Sequence, residues 1–365
     1  MIYKAQSEDI LTTLNYKKPM IKVIGAGHAG CYASYLLAKQ GHKVEILEKN
    51  KIIGSPYQCT GILTRDIDNI LKIPKKLLHT TINHIRIHAP NKEFIKVRMK
   101  NPNYVLKRTK FVQYIADLAQ KEGVKIHTKT KFTKESNLKA DYIIGADGPY
   151  STVAKAYGFK RKLNLFEAPQ VLAKYNNDNI IDTYPHIGEF SWVCPVTKDT
   201  ALIGLLAYKD GNKLLQTFFQ KLNIKKSDIL ERNGGMVPIF NPYLKTQKNN
   251  VFLLGDSAGQ VKATTAGGII QSMIAAKALA KSIKNNKNYD IAWRKKLFAD
   301  LYLHLRTHKI LHKFKDKDWN KLIALFQQQK LKSVLETHNR EKISRFLFQL
   351  PLREPKLLGF LKFLF

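Results

Sequence analysis

The chain has 365 residues, 44% hydrophobic and 10% aromatic, which is too apolar for a disordered protein and long enough for two domains or one α/β unit with an inserted lobe. Three cysteines without a C-x-x-C pair argue against a disulfide framework and for a reducing cytoplasm. The formal net charge of +34 fits compositional bias, anionic lipid head groups, an acidic protein partner or nucleic acid, and because the lysines are dispersed it does not choose among them.

The amino-terminal MIYKAQSEDILTTLNYKKPM is polar and lacks the apolar centre and small-residue cleavage site of a secretion signal. No run reaches the ~18 consecutive apolar residues of a spanning helix, so the chain is expected to be soluble or to lie on a membrane without crossing it. MIKVIGAGHAG (20–30) reads as a β-branched strand running into a glycine turn. CYASYLLAKQ (31–40) follows as a helix with Tyr32, Tyr35, Leu36 and Leu37 on its buried side, and HKVEILEKN (42–50) as the next strand. Gly25, Gly27 and Gly30 form G-x-G-x-x-G between strand and helix. The first allows a tight turn, the second lets backbone approach a pyrophosphate, and the third lets helix and strand pack closely. Phosphates would rest on the unpaired N–H groups of the helix N-terminus. Glu48, 18 residues past Gly30, is placed to accept hydrogen bonds from a ribose. His28, in the same turn, is expected to face solvent.

SPYQCTG (55–61) sets Cys59 among Ser, Pro, Gln, Thr and Gly, a setting that suits a presented thiol better than a packed one. Alternating segments such as TINHIRIHA, between 80 and 107, and TALIGLLAY, within 163–247, indicate a mixed sheet inserted into the nucleotide-binding fold. KRTKFVQYIADLAQKEGVKIHT holds a helix beginning near Thr109 and ending at Gly123, with Phe111, Ile115 and Leu118 on one side and Arg108 just before it. ADYIIGADG (140–148) is a further buried strand whose turn carries Asp147 and Gly148. FSWVCPVTKDTALIG carries Phe190, Trp192, Cys194 and Pro195. NNVFLLGDSAG (249–259) returns to a strand and glycine turn, with Asp256 in the turn and Gly267 and Gly268 before the helix that follows. From about 286 the chain reads as helices only. Residues 292–314 are basic and amphipathic, with Leu297, Leu301, Leu305 and Ile310 among the apolar positions, and the terminal LLGFLKFLF could seal a tunnel or dip into a lipid interface. No His/Cys/Asp cluster has metal-ligand spacing, and no G-x-S-x-G elbow is present, so neither a metal centre nor hydrolysis is expected.

GAGHAG, Glu48, GADGPYS and GDSAGQVKATTAGGI, in this order and spacing over about residues 20–320, resemble the geranylgeranyl reductase family of FAD-dependent enzymes. The resemblance implies an α/β fold: a Rossmann-like FAD-binding domain of the glutathione-reductase and p-hydroxybenzoate-hydroxylase type, with an inserted mixed-sheet substrate domain and C-terminal helices. The FAD domain would be discontinuous over 18–80, 105–162 and 248–285, the substrate domain would span 81–104 and 163–247, and the helical region 286–365. FAD is the implied cofactor, held by Gly25, Gly27, Gly30, Glu48, Arg108, Asp147, Gly148, Asp256, Gly267 and Gly268. Cys59 is the implied catalytic residue, in a Pro-x-x-Cys loop beside the flavin. Tyr57, Phe190, Trp192, Cys194 and Pro195 would contact an isoprenoid chain whose C=C bonds are reduced. The family's Tyr-x-Trp-x-Phe-Pro-Lys segment is altered here: Phe190 lacks the hydroxyl, Cys194 replaces an aromatic ring and Val196 replaces the lysine, which leaves the exact substrate open. Whether Cys194 approaches Cys59 is also left open.

No second glycine fingerprint exists for NAD(P)H, so the reductant is expected to visit from outside, as NAD(P)H or as a ferredoxin. The implied partners are an isoprenoid lipid and an anionic membrane surface, with nucleic acid not expected, and the implied place is the cytoplasm, at the inner membrane face. Three alternatives stay open: a related flavin monooxygenase or halogenase, whose Trp-x-Trp-x-Ile-Pro pattern is half met; a flavin-bearing tRNA-modifying or nucleic-acid-binding protein; and a membrane-surface protein that keeps FAD structurally.

Overall fold

A computed structural model describes residues 19–136 and 138–364. The stretch read as free of a secretion signal lies outside the described residues as far as residue 18, as does Phe365 at the end of the terminal apolar run. Met20–Ile24 (β1), His28–Lys39 (α1) and Lys43–Leu47 (β2) make the βαβ unit, with β1 and β2 paired in parallel. The helix begins at His28, three residues earlier than its sequence suggests, because Gly27 caps it in extended backbone and Gly30 fits inside its first turn. Tyr32 and Leu37 are buried, whereas Tyr35 and Leu36 are only half-buried.

Next come Ile62–Leu63 (β3), Leu78–His88 (β4), Phe94–Leu106 (β5), Arg108–Lys121 (α2), Lys125–His127 (β6), Tyr142–Gly145 (β7) and Thr152–Ala156 (α3). Helix α2 starts at Arg108 itself and buries Phe111, Val112 and Ile115, with Leu118 half-buried. Leu165–Lys174 (β8), Ile180–Tyr184 (β9), Phe190–Thr197 (β10), Thr200–Leu206 (β11), Gly211–Leu222 (α4) and Ile229–Pro238 (β12) follow. Helix α4 corrects the reading of 163–247 as strands alone. Its apolar residues at 214, 215, 218, 219 and 222 repeat with helical period, and Leu215, Phe218 and Phe219 pack on Val171, Ile203 and Leu205 of the sheet. Gln247–Lys248 (β13), Val251–Leu253 (β14) and Ile269–Lys284 (α5) return to the first pattern. The tail then runs through Tyr289–Leu311 (α6), Asp316–Gln327 (α7), Gln329–Thr337 (α8) and Gln349–Arg353 (α9) to a final 3₁₀ stretch, Pro355–Leu364.

Two sheets organise the molecule. The first has six strands in the order β13-β14-β7-β1-β2-β6, parallel except for β13. Its central strands are near-continuous apolar runs, as strands covered on both faces require. The second has eight strands in the order β12-β8-β11-β10-β9-β4-β5-β3, antiparallel except where β4 meets β9. One core joins them, running from Ile21, Val23 and Leu37 through Met273 and Leu279 of α5 to Trp192, Cys194 and Leu206 of the second sheet. Helix α6 adds Leu297, Leu301 and Leu305 to that core, and Ile310 is half-buried at its far end. The later helices pack on a satellite core of Leu325, Leu331, Val334, Ile343, Phe346, Leu350 and Phe360.

Candidate active site

A cavity of about 350 Å³ opens between the C-terminal ends of the parallel strands and the inner face of the second sheet. Its first wall is backbone. Gly25, at φ +103°, turns so tightly that a Cβ there would stand 2.4 Å from the Ala146 carbonyl oxygen, and a Cβ on Gly30 would stand 2.1 Å from the Gly25 carbonyl oxygen. A Cβ on Gly27 would meet nothing within 4 Å, and Gly27 lines the cavity. Two of the three glycines therefore allow close packing and one leaves room for a ligand. Glu48 follows β2 and is pinned by two backbone donors: the Ala26 N–H gives to Oε2 at 2.7 Å and the Asn50 N–H to Oε1 at 2.8 Å.

The charged groups on this wall are short of partners. The Arg108 Nε and Nη1 are buried with no hydrogen-bond acceptor among the described residues, and the Arg108 stem lies against Gly61. Burial pushes the Asp256 carboxyl up to about 6, with Arg108 and Arg161 pulling it back. Asp256 faces the cavity beside Gly268, where a Cβ would lie 3.5 Å from Oδ1. His28 is half-buried and lines the cavity, where it was expected to face open solvent. Its Nε2 lies 3.0 Å from Ser272 Oγ, and burial, then Arg108, lower the imidazole to about 3, so it is neutral. A buried guanidinium without an acceptor and a carboxylate raised by burial, next to an open glycine at a helix N-terminus, suit a ligand that carries both phosphates and hydroxyls. A dinucleotide fits that description.

Asp147 and Gly148 lie behind this wall and do not line the cavity. One Asp147 oxygen accepts the Val153 N–H at 3.0 Å, while Oδ1 is buried without a partner. They support the turn against which Gly25 packs.

The second wall is made of side chains. The Cys59 loop is strapped across to the eight-stranded sheet at three points: Tyr57 donates to Glu231 Oε2 at 3.2 Å, Thr60 to Gln170 Oε1 at 2.6 Å, and Gln58 fills the space above Gly235. Gln170 in turn donates to Asn233 at 2.5 Å. Burial, then Glu231, raises the Tyr57 hydroxyl to about 12. Between these straps Cys59 is half-buried and lines the cavity. Phe190 and Trp192 line it too, with ring centroids 6.1 Å apart and planes at 29°. The indole has room because Gly204 is its partner on β11, where a Cβ would fall 2.6 Å from the ring. Cys194 and Pro195, read with them as substrate contacts, are buried and lie outside the cavity lining. Cys31, Cys59 and Cys194 are free thiols, and burial raises Cys194 well above the usual thiol range.

Three cavity-side residues were not singled out in the sequence, although Lys262 stands within the GDSAGQVKATTAGGI stretch. Lys262 fills the hollow left by Gly267 and gives its Nζ to Glu341 Oε2 at 2.7 Å, where Gln271 also donates at 2.7 Å. Burial pushes Glu341 up, but Lys262 and Arg340 outweigh it and hold the carboxyl at about 2. Arg340 lines the cavity, and its Nε is buried without an acceptor. Lys262 and Glu341 are 79 residues apart, so no local pattern could announce their pairing. A second cavity, of about 320 Å³ and mostly apolar, lies under α6 and α7 and shares Thr183, Phe190 and Thr265 with the first. Among the described residues no group of three His, Cys, Asp or Glu side chains is arranged to hold a metal, and no helix is long and apolar enough to cross a membrane.

Residues 23–60 match the family model of an NAD(P)-binding Rossmann-like domain. The chain is 31% identical over 316 residues to digeranylgeranylglycerophospholipid reductase 3 of Methanosphaera stadtmanae, covering 74% of this chain and 80% of that protein. It is 27% identical to the digeranylgeranylglycerophospholipid reductase of Methanococcus vannielii, over 94% of this chain and 97% of that one. Among solved structures, a geranylgeranyl bacteriochlorophyll reductase-like protein from Thermoplasma acidophilum superposes with a TM-score of 0.80 at 22% identity, covering 95% of this chain and 99% of that one. This last likeness speaks for the fold.

Proposed function

Because the chain belongs to the digeranylgeranylglycerophospholipid reductase family, we propose that it saturates C=C bonds in the geranylgeranyl chains of archaeal-type membrane lipids, with FAD as its cofactor. The observation that carries this reading is the continuity of the cavity. One space runs from an open glycine at a helix N-terminus to an apolar wall of Phe190 and Trp192, with Cys59 along it. FAD, when bound, would supply the two-electron reducing equivalent. Gly27 and the α1 N-terminus would receive its phosphates, Glu48 and Asp256 its sugar hydroxyls, and Arg108 a further anionic oxygen.

An isolated trisubstituted double bond has no polarising group. A proton must therefore reach one carbon as the reducing equivalent reaches the other, and the more substituted carbon carries the developing positive charge. The Cys59 thiol, which lines the cavity, would give that proton, directly or through a held water. Phe190 and Trp192, which line the cavity, would exclude water and favour a cationic centre beside their rings. The reductant would come from outside, as NAD(P)H or a ferredoxin.

The test is anaerobic. The holoprotein is reduced with dithionite, given a geranylgeranylated glycerophospholipid, and the lipid is weighed by mass spectrometry. Two hydrogens gained per double bond are expected. Unchanged lipid beside fully reduced cofactor would overturn the reading, and oxygen uptake coupled to product would mark a monooxygenase instead. Cys59→Ser should slow saturation by about 100-fold or more while leaving cofactor binding intact; an unchanged rate removes the thiol from the chemistry.

A further inference from the structure

We propose that the face formed by residues 342–363 is a docking surface for an anionic lipid bilayer. In this stretch Phe348, Leu352, Leu358 and Leu361 are 69%, 84%, 49% and 45% exposed. They are four of the twelve large hydrophobic side chains that the described residues expose, gathered into a small part of the chain. They do not project from a loose end. The same stretch turns Phe346, Leu350 and Phe360 inward onto Leu325, Leu331 and Val334, so the outward residues ride on an anchored scaffold. Phe360 stacks on Phe314 at 5.1 Å, and Phe363 lies 4.9 Å from the same ring.

Charge identifies the occupant. The exposed charged residues between 342 and 363 are Lys342, Arg345, Arg353, Lys356 and Lys362, all cationic. The one carboxylate of the stretch, Glu354, is buried and paired with Lys330 at 2.9 Å. Bulky apolar groups interspersed with cations suit a layer of anionic head groups over acyl chains, where each part of the side-chain set finds its solvent. A second copy of the chain fits poorly, since pairing two such faces would bring like charges together. The position is also apt: Phe314, on which Phe360 and Phe363 rest, is a wall of the second cavity, which shares Phe190 with the cavity of Cys59. A bilayer at this face would lie on the far side of Phe314 from a mostly apolar cavity that shares Thr183, Phe190 and Thr265 with the cavity of Cys59.

The test uses the full chain with its cofactor and no turnover, so its failure is separate from any failure of the reductase reading. Flotation is measured with vesicles of mixed phosphatidylglycerol and phosphatidylcholine, and with phosphatidylcholine alone. Binding is expected to the mixed vesicles, to weaken with added salt, and to fall at least about tenfold without the anionic lipid. The variant Phe348→Ser/Leu352→Ser/Leu358→Ser should lose at least about tenfold in vesicle affinity with an unchanged thermal midpoint, because these side chains are solvent-facing. Lys121→Glu/Lys125→Glu, two exposed cations elsewhere, serves as the control for overall charge and should bind vesicles nearly as well as the parent chain. The proposal is overturned if the serine variant binds like the parent, if the control loses as much as it does, if mixed vesicles do not bind, or if the serine substitutions abolish self-association instead.

Discussion

On the parallel-sheet side of the cavity the wall is mostly main chain; on the eight-stranded side it is side chain. The first works by missing atoms: Gly25 and Gly30 permit packing that no Cβ could survive, and Gly27 leaves a space that nothing in the protein enters. The second works by filled volume: an indole over Gly204, a phenyl ring beside it, and a thiol on a loop tied down at three points. A wall of missing atoms accepts any ligand with phosphates in the right place, whereas a wall of side chains is specific to the shape and polarity that it meets. Chemistry common to many enzymes belongs with the first, and choice of substrate with the second.

The largest test of this contrast lies where the tail closes the cavity. Glu341→Ala leaves Lys262 buried and unpaired behind Gly267 and should cost about 3–5 kcal/mol in urea unfolding, with part recovered in Lys262→Met/Glu341→Leu. Asp256→Asn should act in the opposite direction. Its carboxyl titrates near 6 in the fold against an ordinary 3.8, so the folded state keeps a proton that the unfolded chain has lost, and stability falls as pH rises through that window. Without cofactor at pH 7 the variant should be more stable by up to about 3 kcal/mol, while binding FAD more weakly in a fluorescence titration.

Within the glycine motif, Gly30→Ala should cost about 2–3 kcal/mol because its methyl meets backbone, and Gly27→Ala should leave the urea midpoint unchanged yet weaken FAD binding by about tenfold or more. Equal effects at the two positions would break the distinction between packing glycines and an open one. The smallest expected effect per group comes from His304 and His308 on α6, held neutral with values near 3 and 4, chiefly by burial. The unfolded chain takes up protons that they refuse, so stability drops as pH falls below about 6.5, by about 2 kcal/mol for each at pH 5. A pH series of unfolding curves should therefore show the Asp256 and histidine contributions with opposite slopes.

The same contrast explains what could be read without coordinates. G-x-G-x-x-G with Glu48 is legible because its parts are local and each has a covalent reason. The parallel strands are legible because burial on both faces leaves unbroken apolar runs. Cys59 stood out by its unsuitable company for a core thiol. Helix α4 was hidden by the strands on either side of it, although its own period is helical. The setting of His28 could not be read because its hydrogen-bond partner, Ser272, is on a helix more than 200 residues away. Lys262, Arg340 and Glu341 were missed for the same reason: their meaning is a meeting in space, and no single stretch of chain contains it.

That meeting also sets an order of events in time. Chains fold from the amino terminus as they leave the ribosome, and the glycine motif emerges early. Arg340 and Glu341 lie more than 300 residues further along the chain, and until they arrive Lys262 lacks the carboxylate it bonds and Arg340's side of the cavity is missing. The nascent protein thus carries a phosphate-ready surface well before it has an enclosed chamber. Closure of the cavity on that side waits until the segment carrying Arg340 and Glu341 has been made.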